Sequence, residues 1–131
     1  MIDFTGTWKA NLAKSKLPGP SPKSLTMKID QSQTDLRQEI AVTRPDGNED
    51  RMTFHCTLNG EQNKNLLNGR PIRGSASWQG DELIIESWLK LGDREMHFRD
   101  HWSLSDDRKT LIMEHRDDDL PGQRTVLEKM E

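Results

Sequence analysis

The chain has 131 residues, the size of a single domain with one core, and apolar and charged residues each make up 31 % of it. Its formal net charge of −3 disfavours a nucleic-acid partner, because phosphate binding needs a basic face. The sequence contains no run of about 18 apolar residues, and therefore no candidate for a membrane-spanning helix. A single cysteine, Cys56, excludes a disulfide within the chain. We therefore expect one folded domain over residues 1–131, with a thin core that favours a barrel with a partly polar or hollow interior.

The first predicted strand covers residues 4–10 and carries a glycine and a tryptophan two positions apart, Gly6 and Trp8. Residues two apart on a strand share a face, so Gly6 leaves a gap beside the large Trp8 ring. Residues 11–22 contain three prolines within five positions, and a helix there could not continue beyond Leu17. We predict a covering loop in this segment, with at most one helical turn at its start.

From residue 23 onward, apolar residues recur with a period of two, which is typical of half-buried strands. Turn signals fall near residues 46, 59, 68, 79, 91, 106 and 121. Their spacing of about 9 to 15 residues predicts eight to ten antiparallel strands, ten if the weak polar segment 61–67 is a strand. We expect residues 123–130 to pair with residues 4–10, because this pairing would remove both exposed edges of the sheet. Spacing alone also allows a Greek-key sandwich.

Three motifs support a resemblance to a known family. Residues 4–9 read F-T-G-T-W-K, residues 14–22 begin with K-S-K and continue into the proline-rich loop, and residues 102–106 read W-S-L-S-D. In these motifs the chain resembles lipocalin-like proteins of the calycin superfamily, in particular small, uncharacterised bacterial lipocalin-like domains. The resemblance spans the whole chain and implies a single antiparallel up-and-down β-barrel. Because the proline-rich segment cannot form the helix pair of fatty-acid-binding proteins, we expect a barrel without a helical lid.

The resemblance also bears on the ligand. Fatty-acid-binding proteins hold a carboxylate with an arginine and a tyrosine two positions apart, close to a V-x-E-K-like end of the last strand. The matching positions here are Thr125 and Leu127, the chain has no tyrosine, and Arg124 falls on the opposite face. A fatty-acid carboxylate therefore has no obvious partner, and we expect a neutral or differently charged ligand.

In lipocalins the tryptophan of the G-x-W motif usually packs under a basic side chain from the closing strand. For Trp8 the resemblance implies Lys129 or Arg124 in this position. Such a contact contributes about 0.5–2 kcal/mol to stability. We expect it to have a structural role only.

One face of every strand in a barrel points into the lumen. The predicted inward face is interrupted by four polar residues, Gln38, Ser87, Asp100 and His115. Each needs a hydrogen-bond partner or water, because an unpaired buried polar group costs about 1–3 kcal/mol. Our hypothesis is that they form a small-molecule site together with an apolar wall that includes Met27 and Met52 and can adapt to several shapes. The predicted ligand-binding residues are Gln38, Phe54, Trp78, Ser87, Met96, Phe98, Asp100, Trp102, Met113 and His115.

We expect non-catalytic binding or carriage of a small, largely apolar ligand. A first alternative is a filled barrel that acts as an interaction or dimerisation module through Trp88 and Ile84, with Ile112 nearby, so the chain would be a monomer or a homodimer. A second alternative is an enzyme that uses the lumen as its active site. That function would require Asp100 or His115 to lie in a dry pocket with a shifted pKa. We predict no catalytic residue.

Other sequence signals are weaker, and we predict no cofactor and no metal. His97 and His101 would lie about 13 Å apart on a strand, too far to share one ion. A haem-binding barrel with His115 or His101 as axial ligand stays open. Cys56 alternates with apolar residues and is expected to be buried, not nucleophilic. The aspartates at 117–119 are expected to form a solvated turn, because no further carboxylate completes a calcium loop.

The compartment is undecided. No leader is recognised, because the strand pattern already begins at Asp3. As the sequence stands we expect the cytoplasm, and a removed leader would instead imply the periplasm or secretion. A single cysteine does not distinguish between these compartments.

Overall fold

The structure is a computed structural model that describes residues 2–17, 21–67, 69–115 and 123–130. These ranges contain ten strands and no helix, and therefore no helix long and apolar enough to cross a membrane. The strands are β1 (Gly6–Ala10), β2 (Ser24–Gln31), β3 (Asp35–Thr43), β4 (Glu49–Thr57), β5 (Asn63–Leu67), β6 (Arg70–Gln79), β7 (Glu82–Leu91), β8 (Arg94–Leu104), β9 (Thr110–His115) and β10 (Gln123–Lys129). The predicted all-β fold is confirmed with the larger strand number, and the weak polar segment supplies β5.

All ten strands belong to one antiparallel sheet with the order β4-β3-β2-β1-β10-β9-β8-β7-β6-β5. Strands that follow one another in the chain pair as hairpins, and the first and last strands pair with each other. In that last pairing Trp8 lies opposite Lys129, and Ala10 lies opposite Leu127. The up-and-down meander is therefore confirmed, and the Greek-key alternative is wrong.

The sheet is interrupted between β4 and β5, far from the chain ends. Both strands are fully described, and no backbone ladder joins them. The expectation that pairing of the chain ends removes every edge is therefore wrong. Near this interruption β6 also comes close to the chain around β4: the Gly60 N–H, in the β4–β5 connection, donates to the Ala76 carbonyl at 2.9 Å, and a Cβ on Gly74 would lie 3.1 Å from Cys56 Sγ. We call the β4–β5 boundary the seam.

Asparagine side chains take the place of the missing ladder. The Asn65 amide nitrogen donates to the His55 carbonyl at 3.0 Å, and the Asn65 amide oxygen accepts the His55 N–H at 2.8 Å. Nearer the end of β4, the Asn63 amide donates to the Thr57 hydroxyl at 3.1 Å. Two strand edges therefore lie one side chain apart and are held together by polar contacts.

The lumen is filled at one end and open at the other. The filled end contains the largest side chains with less than 2 % exposure, which are Phe4, Trp8, Met27, Ile29, Leu36, Leu83, Trp102, Leu111 and Leu127. The Phe4 ring meets the Trp102 ring edge-on at 5.6 Å and stacks on Trp78 at 6.0 Å. Further along the same inward faces, Phe54, Phe98 and Met113 are only half-buried. The polar lumen residues lie in this open half.

Gly6 makes room for the side chain that covers Trp8. Of the two basic candidates, Lys129 is the one that lies over the indole, with Nζ 5.8 Å from the ring centroid, whereas Arg124 lies opposite Glu114 in the β9–β10 ladder. Gly6 has a φ of +147°, and a Cβ there would lie 3.0 Å from Lys129 Cε. The indole N–H of Trp8 donates to the Phe4 carbonyl at 2.9 Å. A side chain at position 6 would therefore be strained and would displace the lysine.

The segment after β1 runs beside β10 and begins with a single hydrogen-bonded turn, in which the Lys14 N–H donates to the Asn11 carbonyl at 3.2 Å and the Ser15 N–H donates to the Leu12 carbonyl at 3.4 Å. The Val126 N–H donates to the Ser15 hydroxyl at 2.9 Å, and Lys16 forms a bridge with Arg124. Two of its three prolines, at positions 18 and 20, lie outside the described residues. The same holds for the turn predicted near residue 121 and for the aspartates at 117–119.

Candidate functional site

A cavity of about 210 Å³ lies in the open half of the lumen. Its lining residues are Gln38, Ile40, Phe54, Cys56, Ile72, Ile85, Ser87, Phe98, Asp100, Trp102, Met113 and His115. Most of the predicted ligand-binding residues are among them, and the two that are absent are Trp78 and Met96. We call this hollow the inner cavity.

The two absent residues lie at different levels of the barrel. Trp78 stacks on Phe4 in the filled end. Met96 lies opposite Leu89 near the start of β8, at the other end of the strand from Trp102. Alternation along a strand identifies the face of the sheet on which a residue lies, but not its position along the barrel axis. The apolar lining residues that the prediction left out share the predicted inward faces, so alternation could have identified them: Ile40, Cys56, Ile72 and Ile85.

The inner cavity contains a carboxylate–imidazole pair. Asp100 Oδ1 lies 2.7 Å from His115 Nδ1, and the two residues are direct partners in the β8–β9 ladder. The Phe98 ring lies 5.5 Å from the His115 ring. Strand alternation predicted that Asp100 and His115 both face the lumen, but not that they contact each other. The β8–β9 hairpin would have revealed it, because pairing Leu104 with Leu111 also places Asp100 opposite His115.

The described lining of the inner cavity contains no lysine and no arginine. The positions that hold the carboxylate-binding arginine and tyrosine in fatty-acid-binding proteins also supply no cation to the lumen. Thr125 is half-buried, Leu127 is fully buried, and Arg124 is exposed on the outer side. An anionic head group inside the cavity would meet the carboxylate of Asp100 without a permanent cation beside it. The cavity therefore suits a neutral or cationic ligand.

The Cys56 thiol belongs to the cavity wall. It is 3 % exposed, and burial raises its pKa to about 11. The thiolate is the nucleophilic form of cysteine, so Cys56 is unreactive at neutral pH. This agrees with the expected apolar, non-nucleophilic role.

The enzyme alternative needs a dry pocket around Asp100 or His115. Their side chains are 28 % and 16 % exposed, so water reaches both groups. His101 faces outward, where its Nδ1 lies 3.8 Å from Glu82 Oε2, and it therefore cannot serve as an axial haem ligand inside the barrel. Among the residues that the structure describes, no three or more His, Cys, Asp or Glu side chains converge on a metal position.

The outer apolar pair proposed for a dimer interface is not exposed as expected. Ile84 is 3 % exposed, lying between Ser77 and His101 in the ladder. Trp88 stacks on His97 with the ring centroids 5.1 Å apart, and the Arg73 guanidinium lies 5.8 Å from its ring. Neighbouring side chains of the same barrel therefore cover Ile84, whereas Trp88 is only half-buried.

No protein-family model and no curated protein matches the sequence. Many solved structures match this chain, among them three that cover almost all of it. Wild-type fluorescent protein UnaG has a TM-score of 0.67 and 15 % identity, with 97 % of each chain covered. A point mutant of the REP1-NXSQ fatty acid transporter has a TM-score of 0.62 and 12 % identity, with 96 % of this chain and 97 % of that chain covered. Zebrafish ileal bile acid-binding protein complexed with cholic acid has a TM-score of 0.53 and 15 % identity, with 97 % and 98 % covered.

At these identities the likeness establishes the fold alone. The expected single antiparallel barrel is confirmed at this level, whereas membership of the calycin superfamily and kinship with small bacterial lipocalin-like domains stay predictions. The chain thus has the nearly closed, ten-stranded antiparallel barrel of the fatty-acid-binding-protein type, with no helix in its described residues.

Proposed function

We propose that the barrel binds one small, largely apolar ligand in its inner cavity and carries it without changing it. The observation that carries this proposal is the composition of the cavity wall. Apolar side chains form most of the wall, and four polar residues interrupt it: Gln38, Ser87, Asp100 and His115. Apolar walls with few polar groups are typical of small-molecule sites.

The volume and charge of the cavity narrow the ligand class. Pockets for drug-sized ligands measure about 300–1,000 Å³, and this cavity is smaller, at about 210 Å³. The ligand is therefore a small molecule, or it inserts one ring system and leaves the rest at the open end. Asp100 accepts hydrogen bonds and repels anions, which favours a neutral or cationic ligand with a hydrogen-bond donor.

Three features favour carriage over catalysis. Asp100 and His115 are hydrogen-bonded to each other and remain accessible to water. The Cys56 thiol is held in its protonated form. Two of the solved structures with this fold are named as a fatty acid transporter and a bile acid-binding protein, which are binding functions.

A neutral, environment-sensitive dye such as prodan tests the proposal by titration. We expect saturable binding with one site per chain, accompanied by a blue shift of the dye emission. Ser87→Leu should weaken this binding at least tenfold, because the larger side chain enters the cavity. Arg99→Leu adds a comparable apolar side chain at an exposed position on the outer face of β8 and should leave the affinity unchanged. Absence of displaceable binding to the unmodified protein, or equal losses in both variants, would refute the proposal.

A further inference from the structure

A second hollow lies on the outside of the barrel, a groove of about 870 Å³ that runs along the seam and across β5 to β8. Three consecutive residues of β4 and three of β5 line it, so the groove contacts both interrupted strand edges. We call it the outer groove. Its lining residues are Arg51, Met52, Thr53, Lys64, Asn65, Leu66, Pro71, Ile72, Arg73, Trp88, Lys90 and Glu95.

The outer groove has an apolar surface that solvent can reach. Leu66 is 65 % exposed and lies opposite Pro71, which is also exposed. Trp88 is half-buried beside them, and Met52 and Ile72 contribute from the inward side of the seam. A single exposed leucine needs no explanation, but apolar side chains that share one concave surface are typical of a binding site.

Positive charge surrounds this apolar surface. The lining contains Arg51, Lys64, Arg73 and Lys90 but only one carboxylate, Glu95. Arg73 lies 2.8 Å from Glu95, and Arg51 forms an ion pair with Glu49 outside the groove lining. No described residue forms an ion pair with Lys64 or Lys90, although Lys90 lies opposite Glu95 in the β7–β8 ladder. The groove is therefore net positive in a chain whose formal net charge is −3.

The two unpaired lysines are close to the apolar residues. Lys64 lies opposite Arg73, and Arg73 lies opposite Trp88 in the next ladder. Lys90 lies two positions along β7 from Trp88, on the same face of the strand. A ligand that lies along Leu66 and Trp88 would therefore have an ammonium group within reach of its head.

We propose that the outer groove binds one anionic, single-chain amphiphile. Its hydrocarbon chain packs along Leu66, Pro71 and Trp88, and its phosphate, sulfate or carboxylate head pairs with Lys64 and Lys90. The concave shape suits one inserted molecule better than the flat surface of a bilayer. The cations that the inner cavity lacks are concentrated here, so the two sites select ligands of different charge.

The tryptophans allow the two sites to be measured separately, because Trp88 lines the outer groove and Trp102 lines the inner cavity. The probe is 10-bromodecyl phosphate below its micelle concentration, whose bromine quenches nearby indoles. We expect saturable quenching that is largely lost in Trp88→Phe. Quenching that persists unchanged in Trp88→Phe would place the probe in the inner cavity and overturn this proposal, without affecting the proposal for neutral ligands.

Charge variants test the head-group contact. The double variant Lys64→Gln/Lys90→Gln should bind decyl phosphate about tenfold or more weakly, since each cation near an anionic surface contributes roughly fivefold. The double variant Lys9→Gln/Lys23→Gln removes the same charge from exposed positions elsewhere and should retain full affinity. Equal losses in the two double variants would contradict the assignment.

Two further measurements test the preference for an anionic head group and the alternative of docking to a membrane. Decyltrimethylammonium has a ten-carbon chain with a cationic head and should bind at least tenfold more weakly than decyl phosphate. Equal affinities for the two amphiphiles would show that the lysines do not select the ligand. Sedimentation with anionic phosphatidylglycerol vesicles, combined with no binding of the monomeric probe, would overturn the proposal in favour of docking to a membrane.

Discussion

Burial determines the ionisation of Cys56. A solvent-exposed thiol has a pKa near 9.0, and inside the barrel the pKa of Cys56 is raised to about 11 because the thiolate would lose its hydration. At a pH between these two pKa values, the Cys56 thiol of the unfolded chain releases its proton, whereas the thiol of the folded chain retains it. Raising the pH through this interval therefore favours unfolding.

This difference in pKa gives a prediction for alkaline stability. The contribution of the Cys56 thiol should be fully present below about pH 9 and lost as the pH rises through 11, a change of at most roughly 2–3 kcal/mol. Urea unfolding of the unmodified protein and of Cys56→Ala at pH 8 and pH 11 measures it. The difference in unfolding free energy between the two proteins should shrink at pH 11. Titration of the lysines affects both proteins and cancels in this difference. A difference independent of pH would contradict the prediction.

Residue-level patterns identified most of the cavity wall and missed its polar pair. Alternation placed Phe98, Asp100 and Trp102 on one face, because successive side chains of a strand point to opposite sides. The pair of Asp100 with His115 depends on the exact residue count of the β8–β9 turn. A shift of one residue in that turn would have separated the two side chains, so strand periodicity alone could not establish the contact.

Among the strands, β5 differs most from its neighbours. It is five residues long, it pairs only with β6, and its contact with β4 is made by asparagine side chains. The polar character of 61–67 was visible in the sequence and weakened the strand prediction. The interruption itself was not predictable, because alternation and turn spacing do not show which neighbouring strands share a backbone ladder.

The seam gives a prediction at the level of elements. Asn65→Ala removes both hydrogen bonds to the His55 backbone and should lower the free energy of unfolding by about 1–3 kcal/mol. The His55 amide should exchange with deuterium faster, because its acceptor has been removed. Hydrogen exchange measured by NMR checks this result. Lys64→Ala, at the exposed neighbouring position, should leave the His55 exchange rate unchanged.

Across the whole molecule, the lumen is divided between a packed end that supplies stability and an open end that can accept a ligand. Phe4, near the start of the chain, meets Trp102 of β8 in the packed end. The strand order and the closure of β10 on β1 followed from turn spacing and from the family resemblance. The division of the lumen into a packed and an open end could not be predicted in this way, because it depends on contacts between residues far apart in the sequence.

Two neighbouring residues on one face of β9 test this division. Leu111 is fully buried in the packed end, whereas Met113 is half-buried and lines the inner cavity. We expect Leu111→Ala to cost about 2–5 kcal/mol, in the range for buried leucines. Met113→Ala should cost less than about 1.5 kcal/mol, because water and neighbours already occupy its surroundings. Urea unfolding measures both values, and equal costs would mean that the lumen is filled along its whole length.

The position of the seam has a consequence for chain connectivity. The Met130 N–H donates to the Thr7 carbonyl at 2.8 Å, so the described chain ends, at β1 and after β10, lie side by side. A circular permutant that joins these termini through a short linker and opens the chain within residues 59–61 would begin and end at the existing edges of the sheet. All nine pairings would then be local hairpins, and proteins dominated by local contacts fold faster than those with distant ones. In the existing order, by contrast, β1 can pair with β10 only after all eight strands between them have been synthesised.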